Sequence, residues 1–334
     1  MIILSGIQPS GKLHIGNYLG AVRNWLTLQE DPTNACRFFL ADWHSLTESY
    51  NPTTKAAQVR ELAVELLALG VDPERVIFFR QSDIPEHLEL AWYLTCITPV
   101  GELERMTQFK DKTAHGDAPS VGLFTYPVLM AADVLMYRTN STDPVHVPVG
   151  HDQVQHLELT NDLARRFNNR FGATFPDVQP LLTSTARVMS LKDPTRKMSK
   201  SHGPDHCLFL DDTPEDVERK LRSAVTDTGG AIATYDYGMM PSGVRTLFEI
   251  LEAFGMPDEV AHFLAQYADG TIQYSELKPA VAKAFAEYFA AFRETKKELL
   301  AQPSHIDAVL AQGAERARII TEATMRETRT RVGI

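Results

Sequence analysis

With 334 residues, 44% of them hydrophobic, the chain can bury about two cores and is too long for a stapled mini-protein. Its three cysteines, Cys36, Cys96 and Cys207, form no Cys-x-x-Cys pair, which argues against a disulfide framework or a zinc site and fits a reducing, cytoplasmic setting. The formal net charge of -10 argues against a general nucleic-acid coat protein, no apolar run approaches membrane-spanning length, and the opening Met1 to Ser5 lacks the basic flank of a signal peptide.

In chain order, apolar Met1 to Leu4 reads as a strand, followed by a Gly/Pro/Ser loop and a helix over Ile15 to Leu28. Arg37 to Ala41 follows as a buried strand, Pro52 to Leu69 as an amphipathic helix closed by Gly70, and Val76 to Phe79 as another strand. This alternation predicts an α/β fold with a doubly wound parallel sheet. From Leu103 to about Arg170 the pattern is mostly helical, with a short strand at Val145 to Val149, and looks like an insertion between two halves of the sheet. Val188 to Leu191 is expected to return to the sheet. Thr213, Pro214 and Asp216 make a helix start, and helical segments run over Ala280 to Leu300 and Ile306 to Arg331, so the chain beyond about residue 204 reads as all-helical.

Two short segments carry chemistry. Ser5-Gly6-Ile7-Gln8-Pro9-Ser10-Gly11-Lys12-Leu13-His14-Ile15-Gly16-Asn17 leaves the first strand and opens the first helix, where free backbone N–H groups favour a phosphate and Gly16 permits close approach, although alone Gly6, Pro9 and Gly11 read as merely shaping a tight turn. Lys197-Met198-Ser199-Lys200-Ser201 offers two ammonium groups and two hydroxyls in five residues, suited to a pyrophosphate leaving group, although alone it would read more readily as a solvated basic loop. Together, and in this order, they resemble the HIGH and KMSKS motifs of the class I aminoacyl-tRNA synthetases. The run Tyr126-Pro127-Val128-Leu129-Met130-Ala131-Ala132-Asp133, preceded by Gly101 to Lys110, resembles the tryptophanyl branch of that family. On a helix, Tyr126, Met130, Asp133 and Tyr137 share one stripe. An acid on such a face either pairs with an arginine or accepts a hydrogen bond from an indole N–H.

The resemblance implies a Rossmann-like catalytic domain of residues 1–104 and 176–203, a connecting insertion of 105–175 that also forms a homodimer interface, and a helical anticodon-binding domain of 204–334. It implies ATP, with Mg2+ carried by the nucleotide and no dedicated metal site, and L-tryptophan and tRNA(Trp) as partners. ATP is expected against Gln8, Pro9, Ser10, Gly16, Asn17, Gly150, His151, Asp152, Val188, Lys197, Met198, Ser199, Lys200 and Ser201. Tryptophan is expected against Leu4, Gly6, His44, Tyr126, Met130, Asp133, Val147 and Gln153. His14, Asn17, Lys197 and Lys200 are the catalytic candidates with Lys112, which reads equally as an exposed helix lysine. Three departures stand out: Gly150-His151-Asp152-Gln153 has histidine where the family has glutamate, Ser141 to His146 is longer than usual, and His14 stands where this branch often has threonine. Arg316, Arg318, Arg326, Arg329 and Arg331 form either an RNA-binding face or a solvated one. A sister enzyme activating another carboxylate, tyrosine included, and a non-catalytic paralogue are the rival readings.

Overall fold

The computed structural model describes residues 1–113, 119–182, 188–226 and 240–334, and the side chains of residues 111–113 also lie outside the description. Candidate Lys112 therefore has a place on a helix, but its side chain is outside the described residues. The chain folds as two compact units: Met1–Gly11 with Asn24–Ser184 and Leu299–Ile334, and Lys12–Arg23 with Thr185–Glu298.

In chain order come β1 (Ile2–Ile7), α1 (Ile15–Asn17), a π-helical turn over Tyr18–Val22, α2 (Arg23–Glu30), β2 (Ala35–Leu40), α3 (Pro52–Ala68) and β3 (Ile77–Arg80). The segment expected as one helix from Ile15 is thus broken by a wider π turn, a distortion common at functional sites. Next are α4 (Glu86–Thr95), α5 (Val100–Glu104), α6 (Thr107–Thr113), α7 (Val121–Met136), β4 (Val145–Val149), α8 (Val154–Phe171) and β5 (Val178–Leu182). The caps follow sequence rules: Asn51 Oδ1 accepts from Thr53 N ahead of α3, and Ser120 Oγ accepts from Leu123 N ahead of α7.

The first unit is built on a five-stranded, all-parallel sheet of order β3-β2-β1-β4-β5. Winding proceeds outward from β1 through β2 to β3 and then restarts on the other side with β4, so the switch point lies between β1 and β4, where open α/β sheets take ligands. The two strands pair only through Ile2↔Val145 and Ile3↔His146. Pro148 has no N–H with which to extend that ladder. Leu4, Phe39, Phe79, Ala132, Tyr137, Val147 and Phe167 belong to one buried cluster between the sheet and its helices.

Two assignments to the sheet differ from the sequence reading. The fifth strand is β5, which Gln179 and Pro180 disguise; proline is tolerated there because β5 is an edge. Val188 to Leu191 does not return to the sheet but lies in the second unit, pairing antiparallel with the lysine loop through Met189↔Lys197. A four-residue apolar run has no period that distinguishes a sheet strand from a hairpin arm.

The second unit contains α9 (Pro214–Arg222), α10 (Ser242–Ala253), α11 (Pro257–Ala268), α12 (Tyr274–Tyr288) and most of α13 (Ala290–Leu300), with Val217, Leu221, Leu247, Phe248, Val281 and Phe285 buried. Thr213 caps α9 as expected, its hydroxyl accepting from Asp216 N at 3.2 Å. The last helix, α14 (Pro303–Val332), belongs to the first unit, whereas the sequence reading grouped it with the preceding helices. Arg316 donates to the carbonyls of Pro73 and Val76, Arg318 to that of Asp83, and Arg329 pairs with Glu89, so these three arginines anchor α14 instead of forming an open RNA-binding row.

Gly313 marks the closest approach of α14 to the sheet: a Cβ there would lie 1.7 Å from the carbonyl oxygen of Phe78. Gly313→Ala is expected to destabilise the protein by more than about 4 kcal/mol, because the obstacle is backbone and cannot rotate away. Thermal unfolding tests this; an unchanged melting temperature would show that α14 does not pack this tightly. Among the described residues no helix is long and apolar enough to cross a membrane.

Candidate active site

The loops leaving the carboxyl ends of β1 to β4 carry most of the polar residues of the first unit's site. Gln8 to Ser10 turn sharply after β1, with Ser10 N donating to Gln8 O at 2.9 Å, and Lys55 Nζ donates to Pro9 O at 3.3 Å. After β2, Asp42 bridges to the β3 loop by accepting from Ser82 N at 3.0 Å and from Ser82 Oγ at 2.5 Å. That bridge holds two 3-10 turns side by side, His44–Thr47 and Gln81–Asp83.

Asp133, on α7, is only 2% exposed. Its Oδ2 lies 2.7 Å from His44 Nε2, and its Oδ1 lies 2.6 Å from His87 Nδ1. Gln81 Nε2 straddles the carboxylate at 2.8 and 3.0 Å. Burial alone would raise the acid's pKa, but the charges and hydrogen bonds of His44 and His87 outweigh it and hold the pKa below the usual carboxylate value. The buried acid is thus paired with two histidines and an amide, and among the described residues no arginine takes part. The predicted stripe is real: His87 bonds Asp133 through Nδ1 and the Tyr137 hydroxyl through Nε2, at 2.8 Å. Gln81 and His87 escaped the sequence reading because each lies some fifty residues from Asp133. The one available signal was that a carboxylate on an apolar face must find donors somewhere.

Leu4 and Val147 line the same cluster as Asp133's helix, and Met130 packs on it half-buried. Gly6 is required where it stands, since a Cβ would sit 2.5 Å from the Phe39 ring. Tyr126 meets the His44 ring edge-on at 6.2 Å, and its hydroxyl lies 2.8 Å from both Gln108 Oε1 and His156 Nε2. Burial, against the opposing pull of Asp152, lowers His156 to about 4, so it is neutral near pH 7. With the hydroxyl donating to Gln108, His156 Nε2–H donates to the phenol oxygen. Gly150 to Gln153 form the turn after β4, where Gln153 Nε2 donates to Asp152 Oδ2 at 3.1 Å and His151 is exposed.

The second unit brings His14, Gly16, Asn17, Val188 and the lysine loop together. His14 caps α1 in a reciprocal box: its Nδ1 accepts from Gly16 N at 3.1 Å, while Asn17 Oδ1 accepts from His14 N at 3.1 Å. Ile15 N donates to Leu208 O and Leu210 N to Leu13 O, clipping this turn to the chain that follows the lysine loop. Lys12 and Lys296 both pair with Asp211, and buried Lys220 pairs with Asp212. In the loop itself, Met198 is the buried anchor, with Met198 N donating to Val188 O at 3.0 Å. Lys197 is exposed, Lys200 half-buried, and the Ser199 and Ser201 hydroxyls bond each other at 2.9 Å.

Burial, then the charges of Lys200 and Lys197, push His14 down to about 3. It is a neutral imidazole whose Nδ1 accepts, leaving Nε2–H as a donor. A base with a depressed folded pKa leaves stability at its full value above pH 6.5 and erodes it as pH falls toward 3, because only the unfolded chain takes up the proton. His14→Asn, which keeps an acceptor for Gly16, is expected to flatten the acid limb of urea-unfolding stability. Parallel pH profiles for the two proteins would contradict a neutral His14.

The switch point of the first unit's sheet and, in the second unit, the paired motifs are features of a nucleotide-dependent activating enzyme. The family model for tRNA synthetases class I (W and Y) matches residues 1–290, and the chain belongs to that family. Within it, the similarity is to the tryptophan enzymes. The chain is 44% identical to tryptophan–tRNA ligase 2 of Streptomyces avermitilis, covering 99% of this chain and 96% of the relative. It is 41% identical to the tryptophan–tRNA ligase of Caldanaerobacter subterraneus, covering 99% and 98%. Among solved structures, tryptophanyl-tRNA synthetase of Campylobacter jejuni complexed with ADP and tryptophan matches with a TM-score of 0.84 at 34% identity over the whole of both chains. That of Mycoplasma pneumoniae matches with 0.86 at 34% identity, covering 100% of this chain and 97% of the other.

Proposed function

We infer that the chain is a ligase that activates L-tryptophan with ATP and transfers it to tRNA. The observation that carries the substrate is the buried, ionised Asp133, a carboxylate beside an apolar cluster to which an indole N–H can donate a hydrogen bond and a phenyl ring cannot. The tryptophan carboxylate attacks the α-phosphate in line, the bond from the α-phosphorus to the α,β-bridging oxygen breaks, and pyrophosphate leaves with its charge met by Lys197 and Lys200. A terminal hydroxyl of tRNA then displaces AMP from the adenylate. No protein nucleophile is needed, so the residues position and stabilise charge. In this reading Gln8 to Ser10, Gly150 to Asp152, the His14–Asn17 turn, Val188 and the lysine loop hold ATP, whose phosphates carry Mg2+. His14 contributes a neutral N–H donor, so both cationic charges in the second unit's motif pair reside on lysines. With Arg316, Arg318 and Arg329 engaged by the first unit, the helices between 204 and 298 are assigned to the tRNA. Tryptophan-dependent ATP–pyrophosphate exchange, with tyrosine and phenylalanine as controls, tests the assignment. Exchange with tyrosine alone would move it to a sister enzyme, and none with any amino acid would favour a binding paralogue.

A homodimer completes the reading. Exposed apolar side chains gather on the first unit: Leu46, Leu88 and Trp92, the last 65% exposed, around a groove that Ala91, Thr95 and Leu129 also line. A patch of this kind marks an association surface. It draws on α4 as well as on the 105–175 segment expected to form the interface. Trp92→Glu is expected to sediment as a monomer while retaining its fold; a dimeric variant would place the interface elsewhere.

A further inference from the structure

The pocket acid is held from behind by residues that no substrate reaches. Gln81 and His87 are fully buried, at 0% exposure, whereas His44, the remaining partner of Asp133, keeps 7%. Oδ1 accepts from His87 Nδ1 and Gln81 Nε2; Oδ2 accepts from His44 Nε2 at 2.7 Å and from the same Gln81 amide at the longer 3.0 Å. Gln81 is itself oriented, its Oε1 accepting from Trp43 N at 3.1 Å. An ionised carboxylate only accepts, so His87 must carry its proton on Nδ1, and the Tyr137 hydroxyl 2.8 Å from Nε2 is the partner that fixes this state.

We propose that Gln81, His87 and Tyr137 are positioning residues for substrate specificity: they tie Oδ1 to the protein interior and leave Oδ2, beside His44, as the oxygen that reads the indole N–H. The proposal rests on Asp133 being the indole acceptor. His87 and Gln81 supply donors that an apolar side chain of similar size cannot, and without them the carboxylate is free to rotate or to take up a proton. Gln81's longer contact to Oδ2 is the one that yields when the substrate N–H arrives, since its amide keeps the 2.8 Å bond to Oδ1.

The test compares tryptophan with 3-benzothienyl-L-alanine, which has the same shape but sulfur in place of the N–H, by steady-state ATP–pyrophosphate exchange on the full chain. Wild type is expected to prefer tryptophan in kcat/KM by about 100-fold or more. Asn places its amide nitrogen where His Nδ1 stands, and Gln places it where Nε2 stands. His87→Asn therefore keeps the preference within about threefold, while His87→Gln loses at least about tenfold of it, mainly through KM for tryptophan with kcat little changed. Tyr137→Phe, which removes one oxygen and little packing, loses about fivefold and decides the matter if His87→Gln does not fold. Equal losses for His87→Asn and His87→Gln, or wild-type discrimination in Tyr137→Phe and His87→Gln, would overturn the positioning role. A wild type that uses both substrates equally would instead remove Asp133 as the indole acceptor, a separate failure that the wild-type measurement alone identifies.

Discussion

Lys200→Ala slows tryptophan-dependent pyrophosphate exchange by about 100- to 1000-fold, while KM for tryptophan changes by less than about threefold. Charge accumulates on the leaving pyrophosphate as its bond to the α-phosphorus lengthens, so a cation there acts chiefly in the transition state and its removal falls on kcat. The field of the loop is already visible in the protein alone, where Lys200 and then Lys197 help to drive His14 to about 3. Lys197 is exposed and Lys200 half-buried, so water screens Lys197 more, and Lys197→Ala has the smaller effect. Tryptophan binding is spared because the Asp133 cluster belongs to the other unit and includes no residue of this loop. An unimpaired exchange rate in Lys200→Ala would sink the assignment of the loop to the leaving group.

Asp133→Ala carries two large effects that different measurements separate. In exchange kinetics the preference for tryptophan over phenylalanine collapses, by about 1000-fold or more, because the acceptor that an indole N–H can bond and phenylalanine cannot is gone. An undiminished preference would remove Asp133 from the indole-binding role. In urea unfolding at pH 7 the variant is less stable by about 3–5 kcal/mol, since His44, His87 and Gln81 are left as buried donors without an acceptor. The pH dependence follows from the depressed pKa of the acid. Its contribution is whole above the ordinary carboxyl value of 3.8 and is lost as pH falls below it, so the stability gap between wild type and Asp133→Ala closes in strong acid.

The strand–helix alternation was legible because burial of a parallel sheet on both faces leaves continuous apolar strands separated by amphipathic helices. The motifs were legible because each packs its chemistry into a few consecutive residues. Gln81 and His87 were not, because a hydrogen bond between α4 and α7 leaves no mark at any fixed spacing. α14 was readable as a helix, yet its partner was not: Arg316 and Arg318, two of the arginines that read as either an RNA-binding face or a solvated one, contact carbonyls more than 230 residues away in sequence, Pro73 and Asp83 among them. β5 was hidden by the polar and proline residues that an edge strand tolerates.

The notch at Gly313 also has a timetable. Phe78 in β3 leaves the ribosome long before the helix that covers it, with 222 residues lying between Arg80 and Pro303. At usual elongation speeds, that gap lasts about 10–45 s. During it the face of β3 that α14 covers lacks that helix, so this part of the core closes only when α14 emerges.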